Sequence, residues 1–145
     1  YMTELIKYDI LAVPSSAVSL LCRVAAIKYH DIAIIQETND IQEAMLTRAR
    51  EYLIDLGYDR HSVESYPVYL TDLPNGTYAK ADIVERRIYF APIAFDMGQK
   101  FVCSTLQEEY IHMHLKLYDM TRELQQHLFD RLATVMERFY YKEPI

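Results

Sequence analysis

The chain has 145 residues, is 51% apolar and 25% charged, and carries a net charge of −6, which suits one compact domain with a real core. Three glycines and five prolines exclude a collagen-like or low-complexity chain. No apolar run reaches the length of a membrane span or forms a secretory h-region, so neither a membrane protein nor a signal peptide is expected.

Residues 5–13 (LIKYDILAV) are rich in β-formers and stop at Pro14, which predicts a strand. Ser15 or Ser16 then caps a predicted helix to about Tyr29, with Val18, Leu21, Cys22, Ala25 and Ala26 at helical spacing. Residues 31–36 (DIAIIQ) form a short strand candidate. Asn39 or Asp40 caps a second helix over about 41–56, with Ile41, Met45, Ala49, Tyr52 and Leu56 on one face and Gly57 as its stop. Strands follow at 66–71, 78–83 and 87–90, with a turn at 73–76. Two helices close the chain, at about 97–117 and 120–141, the last with an apolar stripe of Leu124, Leu128, Leu132, Val135 and Phe139. The expected fold is therefore α+β, a small mixed sheet packed by helices, as a single domain over residues 1–145.

Several functions lose ground on composition. There is no glycine-rich phosphate loop, so a P-loop or Rossmann nucleotide site is not expected in this chain. Basic residues pair only locally, at Arg48/Arg50 and Arg86/Arg87, and form no stripe on a chain of net charge −6, so direct nucleic-acid binding is disfavoured. Cys22 and Cys103 make no C-x-x-C, which points to a reducing, cytoplasmic setting. The 13 tyrosines are scattered and read as the rim of a core. Nothing specifies homo-oligomerisation.

The most site-like stretch is residues 107–122, QEEYIHMHLKLYDMTR. Val102, Leu106, Met113 and Leu117 cover one side of this helix, and Phe101, Ile111 and Leu115 cover a flank. The remaining strip holds Thr105, Glu108, Glu109, His112 and Lys116. Buried carboxylates need partners, so this strip demands an explanation. Glu108 and His112 stand at i and i+4, the spacing of the two histidines in the zinc-peptidase motif H-E-x-x-H. Here the motif is E-E-x-x-H. Carboxylate oxygen binds divalent metals such as zinc, so Glu108 and His112 are candidate ligands, with Asp119 or Glu123 as a third and Glu109 as general base. His114 points away around the helix. The structural alternative is a set of ion pairs: Glu108 with His112, Glu109 with Arg122 or Lys116, and Asp119 as a helix N-cap. His61 and His127 read as surface residues, and Asp55, Asp59, Glu137 and Glu143 as solvated charges.

Residues 88–131 resemble the C-terminal region of bacterial and phage ATP-binding proteins of the Hsp90/GHKL type. The resemblance rests on Phe95, Asp96 and Gly98, on Thr105, Leu106, Glu108, Glu109 and His112, and on Asp119, Thr121, Arg122, Glu123 and Gln125. It is weaker before Asn39. It implies a minimal zincin-like unit, a strand beside the motif helix with a second helix packed on it, without the ATPase domain. The family form is itself E-E-x-x-H, which implies a peptidase scaffold whose chemistry is lost or altered. Thr105 and Arg122 then join a structural network. The expected role is a non-catalytic or chemically altered interaction or regulatory domain with a protein partner, working beside a GHKL ATPase. The alternatives are a metal-dependent, peptidase-like hydrolase and a component of a nucleic-acid-processing or defence complex.

Overall fold

The computed structural model describes residues 34–141, which belong to the second of two compact units divided between residues 33 and 34. The strand expected at 5–13 and the helix after it, with Cys22, lie outside the described residues, as does Glu143.

Helix α1 spans Asp40–Asp55. Asn39 caps it by accepting from the Gln42 amide while the Gln42 side chain accepts from the Asn39 amide, a reciprocal capping box. It buries Leu46, Ala49 and Leu53; of the face expected from the sequence, Ala49 is buried and Met45 and Leu56 pack partly buried against the core, while Ile41 is 73% exposed. Both sets obey helical spacing, and packing against the later motif helix selects between them. The helix ends in a Schellman turn, with the Gly57 amide donating to Ile54 O and the Tyr58 amide to Leu53 O. Gly57 sits at φ +104°, and a Cβ there would lie 2.9 Å from Arg131 Nη1. A short helix absent from the sequence reading, α2 (Arg60–Glu64), follows with Asp59 as its cap.

Three strands, β1 (Val68–Leu70), β2 (Ala79–Asp82) and β3 (Arg87–Phe90), form one mixed sheet in the order β1-β3-β2. β3 is parallel to β1 and antiparallel to β2. Of the candidate strand at 31–36, Gln36 makes an isolated antiparallel bridge to Leu70.

A short helix, α3 (Pro92–Asp96), precedes the helix expected at 97–117, which is α4 (Gln99–Tyr110) followed by a π-helical turn (Ile111–Leu115). Gly98, at φ +98°, separates the first two. Lys116, at φ +56°, ends the π-turn in the left-handed region. The last helix, α5, spans Arg122–Tyr141. Its cap is Thr121, whose hydroxyl accepts from the Leu124 amide, and not Asp119. The core is built on Phe90, Leu46, Leu53, Ile88, Ile111 and Val102. The architecture is α+β, as the element pattern predicts.

Candidate metal centre

α4 is buried on most of its surface because Val102, Cys103, Leu106 and Tyr110 all point into the core. That fixes its rotation and turns the polar strip toward β2. Thr105, Glu108, Glu109 and His112 line an open cleft of about 840 Å³, with residues 76–81 of the β2 side opposite and Tyr118 and Asp119 at one end. Lys116 is past the π-turn, and its left-handed backbone takes it off the strip.

One ligand atom each from Glu108, His112 and Asp119 lies within 4.8 Å of the others. Donors at 2.0–2.2 Å from a common centre stand at most about 4.4 Å apart, so only a small closure separates these groups from a coordinating set. With Nε2 protonated, His112 donates to Asp119 Oδ1 at 3.0 Å. Its Nδ1 lies 3.8 Å from Glu109 Oε2. The π-turn begins at Ile111, so His112 is already on the widened backbone while Glu108 is on regular helix.

Glu109 is only 8% exposed and accepts a hydrogen bond from the Ala81 backbone. Burial pushes its carboxyl up to about 7; His112 opposes this, the Glu108 and Asp119 charges add to it, and the Ala81 amide opposes it. A carboxyl balanced near neutrality is suited to taking and returning a proton.

The Ala81 contact follows from the register. The Ala91 amide donates to Tyr78 O, so 78/91, 80/89 and 82/87 are the hydrogen-bonded pairs of β2 and β3. The backbone groups of Ala79 and Ala81 therefore face the open edge of the sheet, above the cleft.

The other residues singled out by sequence are elsewhere. Glu123 is exposed in the first turn of α5 and outside the ligand cluster. Arg122 is exposed, and among the described residues no hydrogen bond or ion pair joins it to Glu109 or Asp119. Thr105 is buried in the cleft wall. His114 does point away, and bonds the Tyr66 hydroxyl at 2.9 Å while stacking on Tyr110. His127 is not a plain surface residue: its Nε2 is 2.7 Å from the Tyr58 hydroxyl, in a contact that joins α5 to the end of α1. Only the tertiary partner reveals it, since Tyr58 is 69 residues away.

No family model, curated protein or solved structure matches the chain.

Proposed function

We propose that the chain is a divalent-metal-dependent hydrolase of altered zincin type, acting on an extended polypeptide. The observation that carries this reading is the convergence of Glu108, His112 and Asp119 on one open point of the cleft. A divalent cation held there by Glu108, His112 and Asp119 would supply Lewis acidity and lower the pKa of a water. Glu108 takes the place of the first histidine of H-E-x-x-H, so the donor set is two carboxylates and one imidazole, harder than a zinc peptidase's. Glu109 is held beside His112 and poised near neutrality, where it serves as the proton acceptor for water and the proton donor to a leaving group. The edge-facing backbone groups of Ala79 and the Ala81 carbonyl offer ladder hydrogen bonds to an extended chain lying along the cleft.

Elemental analysis of protein purified without chelator, and again after addition of zinc or manganese, tests the centre. One ion per chain is expected, lost in His112→Ala. Glu109→Gln is expected to keep the ion and lose hydrolysis of an unstructured protein substrate such as casein. No stoichiometric ion under either condition overturns the reading.

A second reading has its own observation. Phe129, Leu132 and Phe139 of α5 are 61%, 59% and 72% exposed, and no residue of α5 is buried. Such a ridge supports an interaction or regulatory role with a protein partner, here a GHKL ATPase of a bacterial or phage system. Co-expression with such an ATPase from the same source and size-exclusion chromatography test it. Co-elution abolished by Leu132→Asp is expected, and independent elution of the wild-type chain rejects it.

A further inference from the structure

Asp119 comes from neither α4 nor α5 but from the turn that joins the π-turn to α5. Residues on either side of it, Lys116 and Met120, hold left-handed backbone at φ +56° and +58°. Its side chain is 69% exposed, and the bond to His112 is its link to α4. The turn is stiffly joined to the helix that follows. Thr121 donates its hydroxyl to Tyr118 O at 2.7 Å and accepts from the Leu124 amide at 3.2 Å. Where Asp119 goes, the first turn of α5 goes with it.

The rest of α5 is fastened to the end of α1 and the segment that follows it. His127 bonds Tyr58, Arg131 donates to Leu56 O at 3.3 Å, and Arg138 donates to Asp55 O at 3.1 Å. All three partners belong to the end of α1 and the segment just after it. At its beginning, α5 has the partly buried Leu124 and the Asp119–His112 contact. A single exposed hydrogen bond exchanges readily with water. A cation ligated by Glu108, His112 and Asp119 would instead cross-link residue 108 to residue 119.

We propose that a divalent cation bound by Glu108, His112 and Asp119 fastens the N-terminal end of α5 to α4. The proposal rests on the metal reading given above. Its physical basis is linkage: an ion that binds only the docked arrangement of the turn stabilises that arrangement by its binding free energy.

Hydrogen–deuterium exchange of the full chain, with and without one equivalent of manganese or zinc, tests it. The bound ion is counted by elemental analysis on the same samples. Amides of residues 116–128 are expected to exchange at least about tenfold more slowly with the ion, while those of α1 are unchanged. A counted ion with no slowing at 116–128 overturns the fastening and leaves the metal centre standing. No counted ion overturns both. Asp119→Asn supplies the second arm: it is expected to lose the slowing even at ion concentrations that fill the remaining ligands. Slowing equal to wild type in that variant also overturns the proposal.

Discussion

At the residue scale, Glu109 links the protein's stability to pH. Burial raises its folded pKa from 4.5 to about 7, so the unfolded chain gives up this proton first as pH rises. Its contribution to stability is fully present below about 4.5 and is lost as pH rises through about 7. Metal-free protein is therefore expected to unfold at lower urea at pH 8 than at pH 5, with the slope flattened in Glu109→Gln. Urea midpoints measured from pH 5 to 8 check this; parallel profiles for the two proteins reject it. In the proposed ion site, Glu108 supplies a carboxylate where H-E-x-x-H has a nitrogen. Glu108→His restores the nitrogen-rich H-E-x-x-H donor set, and is expected to tighten zinc binding at least about tenfold. Competition with a chromophoric chelator measures the change, and an unaltered zinc affinity excludes Glu108 as a ligand.

Among the elements, α5 is the least embedded, and its fastening is polar. The Tyr58 hydroxyl donates to a neutral His127 Nε2 at 2.7 Å. Burial, then the Arg131 charge, holds the His127 pKa below its ordinary value, while Asp130 opposes them. A depressed folded pKa contributes stability that is present above about 6.5 and lost as pH falls. This runs opposite to Glu109. His127→Ala is expected to cost about 1–2 kcal/mol at pH 7.5, because it leaves the Tyr58 hydroxyl with a 3.4 Å contact to Gln107. Combined with Tyr58→Phe in a double-mutant cycle, the coupling energy checks it; additivity of the two changes shows that the bond contributes nothing. The π-turn is the other element with a consequence. It carries His112 and ends at the left-handed Lys116, so the chain leaves α4 toward the cleft rather than continuing along the helix axis.

For the molecule as a whole, the cleft exists because two packing decisions meet. The sheet places β2 at its edge, and the apolar faces of α4 turn the polar strip toward that edge. The site then joins segments that are otherwise separate, since Glu108 and Asp119 lie on opposite sides of the π-turn. An ion bound to the folded chain alone stabilises all of it. At a free concentration a hundred times its dissociation constant the gain is about 2.7 kcal/mol, or a rise in Tm of roughly 8–10 °C for a chain of this size. Differential scanning calorimetry with zinc and manganese measures it. His112→Ala is expected to show no rise, and an equal rise in that variant places the ion elsewhere. Among the described residues, no helix is long and apolar enough to cross a membrane.

Much of this was legible in the residues. The helix start at Asn39 and the stop at Gly57 are local signals, set by hydrogen bonds within a few residues, and the strand at residues 87–90 shows in its run of β-formers. The i,i+4 placement of Glu108 and His112 is local too, because helical geometry alone fixes it. The full core face of α1 and the π-turn were not legible, since each depends on what the segment packs against. The same holds for the exposed stripe of α5: its spacing promised a buried face, yet spacing says nothing about whether a partner surface is present. For the candidate site, the sequence by itself determined the types of the potential ligands and the helix that carries two of them. Only the tertiary structure decided that Asp119 joins them while Glu123 and Arg122 do not, because a left-handed turn, and not helical periodicity, carries Asp119 back to His112.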